Sequence, residues 1–177
     1  LARPVTDTPG SRFCYSSADT ILAGRMVERK TGVRLNEYLY RRLFQPMGMG
    51  FPMWECCPQG HPIGGGGMVL KLTEMMKLGQ LYLAQGLWQG SRLLDPAGVA
   101  EATARHMDTP PDHIWSVGYG DTFWMCPYEG AYRADGAYGQ ITAVLPESGL
   151  VVAVQCPEDG DFSKVRNALH EEIFSQL

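Results

Sequence analysis

The chain has 177 residues, enough for one domain, and is 45% hydrophobic and 19% charged, so it can bury a core and is not a disordered segment. Its net charge of -4 and the lack of any Lys/Arg run exclude attraction to nucleic acid or to an anionic membrane by bulk charge. No apolar run approaches the ~20 residues needed to span a bilayer.

The chain begins Leu1-Ala2-Arg3-Pro4, without an initiating Met or a signal-peptide pattern, and is expected to be a piece of a longer protein. Residues 4 to 12, with two prolines and a glycine, read as loop. Ser16 or Ser17 is placed to cap a helix, since a serine hydroxyl accepts a bond from an orphan N–H. Ile21, Leu22, Met26 and Val27 then recur at helical spacing, and Gly32 ends the helix. A second helix is predicted over Leu35 to Leu43, stopped by "FQPMGMG". Residues 50 to 67 read as irregular and end in four glycines, which suit a sharp turn or close backbone packing. Thr73 is the predicted cap of a third helix over about 74 to 85. "GLWQGSRLL" reads as a turn between two short extended pieces. "DPAGVAEATARHM" reads as a short helix followed by a Pro-rich loop.

After residue 114 the pattern becomes strand-like. "IWSVGYGDTFWM", "AYRADGAYGQITAVL" and "GLVVAVQC" are rich in β-branched and aromatic residues and split by turns. "PESG" joins the last two as an antiparallel hairpin. A closing helix from about Phe162 to Phe174 presents Val165, Leu169 and Ile173 on one face. Helices first, then meandering strands, then a helix predict an α+β fold.

The five cysteines, an odd number in a chain of this size, point to free thiols rather than a disulfide framework, and free thiols favour a cytoplasmic setting. Cys56, Cys57 and His61 cluster in sequence. Zinc sites draw four ligands from spaced pairs, and no second pair follows, so loop cysteines are the expected reading and no metal or other cofactor is called for. There is no Gly-x-Ser-x-Gly elbow and no phosphate loop.

Four segments carry a resemblance. "PGSRFCYSS" resembles a Pro-Gly-x-x-Phe-x-Tyr-Ser-Asn stretch, and "LNEYLYRRLFQPMGM" a segment ending Pro-Leu-Gly-Met. "GGGGMVLKLTEMMKLGQLYLAQGLWQGSRLL" is similar to a Gly-rich turn, helix and Gly-x-x-x-Gly-x-x-Leu-Leu sequel. "YRADGAYGQITAVLPESGLVVAV" is similar to a strand pair that normally carries Lys-Thr-Gly or His-Thr-Gly. These are the motifs of the superfamily of class C β-lactamases, DD-peptidases and serine esterases, in its order and spacing, over nearly the whole chain. The resemblance implies the C-terminal portion of one β-lactamase/transpeptidase-like domain, with residues 12 to 110 mainly helical and 114 to 177 forming antiparallel strands plus the last helix. The N-terminal part of that fold is absent from the chain on this reading.

It also implies roles. Tyr15 matches the tyrosine beside the family's nucleophilic serine. A lysine ammonium near such a phenol favours phenolate, which can take the serine proton and pass it to the leaving group. Ser17 stands where the family has Asn, which weakens amide recognition, since a hydroxyl has one proton and a shorter reach. Ala134, Asp135 and Gly136 occupy the third motif, so its cation is gone. Arg133 is adjacent, but successive strand residues point to opposite faces, and it is not expected to replace that cation. The N–H of Ala137 is implied as an oxyanion donor. None of the eight serines is followed by Lys at the third position, so Ser-x-x-Lys lies outside this chain or is missing. The implied activity of the parent is acyl transfer on a small ester, amide or peptide, with this chain alone inactive. The rival is a non-catalytic binding or scaffold module of the same fold. A partial fold would leave apolar surface exposed, and self-association through it is expected.

Overall fold

The computed structural model describes residues 4, 7–110, 115–157 and 163–177. The start of the first loop, the Ile114 end of the first strand-like stretch and the predicted helix start at Phe162 involve residues outside that set. Helix α1 spans Ser17–Thr31 and ends at Gly32, whose left-handed φ of 71° lets its N–H return to the Glu28 carbonyl. Helix α2 is Leu35–Leu39, and the chain continues through Tyr40–Phe44 as a π-helical turn, so the predicted second helix is α-helical only in its first half. The widening is visible in the bond from the Gln45 N–H to the Tyr40 carbonyl, 2.8 Å across five residues. Pro46 then removes the next donor.

The stretch read as irregular holds a small antiparallel pair, β1 (Met53–Trp54) with β2 (Met68–Val69). Helix α3 is Leu72–Leu83. Its cap is not Thr73, which lies inside the first turn: Glu74 reaches back to accept the Lys71 N–H at 2.8 Å, so the helix starts earlier than the threonine suggests. Strands β3 (Leu87–Trp88) and β4 (Ser91–Arg92) form the short hairpin. Asp95 caps helix α4, Pro96–Ala102, by accepting the Ala97 N–H.

The rest is one five-stranded antiparallel sheet in sequence order: β5 (Gly118–Tyr119), β6 (Trp124–Met125), β7 (Tyr132–Gly136), β8 (Gln140–Leu145) and β9 (Leu150–Val154). Helix α5, Ser163–Glu172, and a short 3₁₀ turn, Phe174–Gln176, close the chain. Alternation divides the sheet cleanly. Met125, Tyr132, Val144 and Val151 face one way, toward Tyr82 and Leu83 of α3. Cys126, Ala131, Ile141, Ala143 and Leu145 face the other way, toward Leu169 and Phe174. Phe44, Met47, Met49 and Leu81 fill a separate helical core. Lys77 holds α3 to the turn after the π-helical stretch by donating to the carbonyls of Met47 and Gly48 at 2.9 and 3.2 Å. Among the described residues no helix is long and apolar enough to cross a membrane.

The contact between α3 and the sheet is closest at Gly79. A Cβ there would lie 2.5 Å from Val151 Cγ1 and 2.9 Å from Thr142 Cγ2. Gly to Ala inside a helix ordinarily stabilises by about 1 kcal/mol. Here Gly79→Ala is expected to destabilise by about 1–3 kcal/mol, because two β-branched side chains of a packed sheet must give way. The urea midpoint decides it; a midpoint above that of the parent chain would mean the layers are not in this contact.

Candidate active site

Tyr15 sits two residues ahead of α1, on a backbone that is still extended, with φ -146° and ψ 110° at Ser16. Ser16 occupies the capping position, but its hydroxyl makes no capping bond, and Asp19 in the first turn supplies the favourable charge there instead. Ser17 opens the helix and its carbonyl accepts the Thr20 hydroxyl at 2.9 Å. The glycine run lies directly against this turn: a Cβ on Gly64 would stand 2.5 Å from the Thr20 carbonyl oxygen, and one on Gly65 2.8 Å from that of Ser17. Gly64 and Gly65 thus serve close backbone packing at the start of α1, while Gly67, with φ 73°, turns the chain against Glu55.

Tyr15 is 56% exposed, yet its ring is held. It stacks on Trp124 of β6 with centroids 5.6 Å apart and planes 15° apart. The ring of Tyr119, on β5, meets it nearly edge-on at 6.1 Å. Phe13 packs edgewise on both Tyr119 and Trp124, at 5.2 and 5.7 Å. The segment before α1 is therefore docked on the β5–β6 hairpin by four aromatic rings. Tyr119 is the more sheltered phenol: burial first, then the neighbouring Tyr15 and Asp135, push it up to about 12. It stays neutral at physiological pH.

Trp124 stands directly opposite Arg133 of β7. Arg133 is 4% exposed and fully engaged. Its Nε donates to the Asp135 carboxylate at 2.8 Å, one terminal nitrogen to the Trp115 carbonyl at 2.6 Å, and the other to the Ser116 hydroxyl at 2.9 Å. The same guanidinium lies over the Trp124 ring, 5.9 Å from its centroid. Strand alternation places Arg133 and Asp135 on the face that carries Trp124, and Ala134 on the other. Ala134 is exposed and pairs with Thr142. Gly136 ends β7 opposite Gln140. Ala137 follows, exposed, before a turn in which Tyr138 and Gly139 both have positive φ, 76° and 85°. Asn-Gly or Gly-Gly usually supply that combination, so Tyr138 is a strained occupant. The structure brings Tyr15 and Asp135 to one side of the sheet around Tyr119, while Ser17 packs on the glycine run and Ala134 lies on the opposite face.

The sequence model of the beta-lactamase family matches residues 1–173. The chain belongs to the beta-lactamase family. Solved structures of beta-lactamase and penicillin-binding-protein type share its fold. One, a protein from Bacillus anthracis assigned as a 6-aminohexanoate-dimer hydrolase, matches with a TM-score of 0.79 at 20% identity, over 97% of this chain and 47% of its own. An octameric penicillin-binding protein homologue from Pyrococcus abyssi matches at 0.75 and 18%, over 96% and 44%. Simvastatin synthase from Aspergillus terreus matches at 0.69 and 19%, over 99% and 57%. The chain thus spans about half the length of the structures it matches. No curated protein matches it in sequence.

Within this family member, the Cys56–His61 turn belongs to a different arrangement. Glu28 of α1 is buried and accepts the Leu35 N–H at 3.0 Å, His61 Nδ1 at 2.8 Å and the Arg25 guanidinium. Burial pushes its carboxyl up, but the Leu35 N–H and the charges of His61 and Arg25 outweigh that and hold it below the usual range. Arg34 lies against the same loop and donates to the Gln59 carbonyl at 3.4 Å. His61 is thereby committed to a polar knot between α1 and the loop. Among the described residues no group of three or more His, Cys, Asp or Glu is arranged to hold a metal ion.

Trp124 and Tyr119 are site neighbours that no motif marks; Arg133 and Asp135 lie in or beside the third motif, but their pairing with each other is seen only in the fold. The available signal was the Arg-x-Asp spacing on a strand, which puts both side chains on one face. Replacing Arg133 by Ala is expected to lower stability by about 2–4 kcal/mol, because Asp135, whose side chain is 13% exposed, loses its partner and the Trp115 and Ser116 groups lose theirs. Asp135→Ala should cost less, since Arg133 keeps Trp115 and Ser116. Urea unfolding of both variants measures this, and a loss under about 1 kcal/mol for Arg133→Ala would show that the pair is not a buried one.

Proposed function

We propose that this chain supplies the tyrosine and third-motif strand of a serine-hydrolase site that performs acyl transfer on a small ester, amide or peptide. The observation that carries the reading is Tyr15 itself: a phenol at the mouth of α1, exposed at its edge and stacked on the sheet that also bears Asp135 and Gly136. A core tyrosine would be covered. In the proposed reaction Tyr15 takes the proton of a serine contributed by another segment, and the serine oxygen attacks the substrate carbonyl. The Ala137 N–H donates to the oxyanion that forms. Tyr15 then returns the proton to the leaving alcohol or amine, and water releases the acyl group by the same route.

The third motif supports an ester or peptide substrate over a β-lactam. Ala134 has no charge to grip a carboxylate, and Arg133 is spent on Asp135, Trp115 and Ser116. Among the matched structures, one is described as a hydrolase with promiscuous acyltransferase activity and another as a D-stereospecific amidohydrolase, so the fold serves both ester-like and amide chemistry elsewhere. The absence of Ser-x-x-Lys supports the further reading that the 177 residues alone do not turn over substrate, whereas Ser17 and Asp135, standing where the family motifs have other residues, favour the second reading, a binding module.

The first measurement tests whether the chain is inactive by itself; the second separates the hydrolase from the binding module. The purified chain, incubated with an activated fluorophosphonate and a fluorescent penicillin, is expected to show no serine adduct by intact mass; a stoichiometric adduct would overturn the inactive-fragment reading. In a longer form that includes Ser-x-x-Lys, Tyr15→Phe should cost only about 1 kcal/mol of stability, the scale of one net hydrogen bond. Its p-nitrophenyl ester hydrolysis should fall on the order of a hundredfold or more. If activity instead tracks the melting temperature, Tyr15 is a packing residue and the binding module is the better account. Turnover of nitrocefin above that of simple esters would contradict the substrate preference.

A further inference from the structure

Tyr15 poses a mechanical problem. A proton-transfer group must be held to within a fraction of an ångström of its partner, yet this one lies on an extended, exposed segment outside any regular element. What fixes its direction is the face of Trp124, parallel to it within 15°. Trp124 is itself constrained on two sides. Tyr119 abuts it edge-on at 4.8 Å, and the Arg133 guanidinium lies over its ring. Arg133 cannot swing away without breaking its contacts to Asp135, Trp115 and Ser116.

We propose that Trp124, braced by Arg133, is the positioning residue that holds the Tyr15 phenol in its working direction. The inference rests on the reading of Tyr15 as the proton-transfer group. Trp124 does not exchange a proton in the reaction; it acts through Tyr15 by denying the ring other rotamers. Of the two phenols in the cluster, Tyr119 is the neutral wall and Tyr15 the one presented to solvent. The bracing also gives the buried Arg133 a role beyond its pairing with Asp135. A tryptophan alone, on a strand of two residues, has little to keep it still, whereas one lying under a guanidinium held by Asp135, Trp115 and Ser116 moves only with the strand.

The test uses the 177-residue chain labelled with 3-fluorotyrosine, with the Tyr15 resonance identified by its loss in Tyr15→Phe. Trp124→Leu is expected to shift and narrow the Tyr15 ¹⁹F signal toward that of free fluorotyrosine while the other tyrosine signals stay dispersed. Trp124→Phe, which keeps a flat ring, should leave it near its original position. Arg133→Lys keeps the charge and loses the fork, and should give a partial shift, which keeps the test decisive if the Leu variant does not fold. In the longer, active form, Trp124→Leu should lower kcat on the order of tenfold with KM within about twofold, and Trp124→Phe should restore most of it. An unmoved Tyr15 signal in Trp124→Leu, or in Arg133→Lys where the Leu variant is unfolded, overturns the proposal even if Tyr15→Phe abolishes activity. A shifted signal with full activity in Tyr15→Phe overturns the catalytic reading instead and leaves the packing role of Trp124 standing.

Discussion

Burying one guanidinium organises this molecule. An arginine taken out of water must find partners for its N–H groups, and each that goes without costs free energy on the scale of a lost hydrogen bond. Arg133 meets the demand with a carboxylate two residues along its own strand, and with a main-chain carbonyl and a hydroxyl from the segment before β5. That choice pins residues 115 and 116 to the sheet, fixes which face of β7 is charged, and lays a cation over Trp124. The aromatic platform that receives the start of α1 rests, through Trp124, on this one side chain.

The sheet and the long helices were legible because their signals are periodic. β7, β8 and β9 alternate or run apolar over five or six residues, and the hairpin turns between them are marked by Gly and Pro-Glu-Ser-Gly. α1 carries a cap-region serine, a helical stripe and a terminal glycine. The β1–β2 pair was not legible, since two residues on each side of a glycine-rich gap leave no period to detect. The cap of α3 was misread for a local reason: Thr73 has the preferred side chain, but Glu74 closes the turn from inside and moves the start upstream.

Tyr15, Ser17 and the Ala134–Ala137 stretch stand out as candidates in the sequence because they lie in short contiguous motifs. Their partners do not. The stack of Tyr15 on Trp124 joins two segments that only tertiary folding brings together, and nothing in the spacing of either predicts it. Strand alternation did anticipate that Arg133 would not take the place of Ala134. The same alternation puts Arg133 and Asp135 on one face, where they pair. Identities near 20% to the matched structures carry the fold across and leave the chemistry to be argued from these side chains.

The glycine run at 64 to 67 has a consequence for how this family member can vary. Gly64 and Gly65 touch the first turn of α1 with main chain alone, leaving no room for even a methyl group beside Thr20 and Ser17. A side chain there would lever the helix mouth outward, and the tyrosine two residues upstream would travel with it. The loop therefore behaves as a spacer of fixed thickness between α1 and the β1–β2 pair. Lineages that lose a glycine at 64 or 65 should be found with compensating small residues on α1, or with the tyrosine replaced altogether.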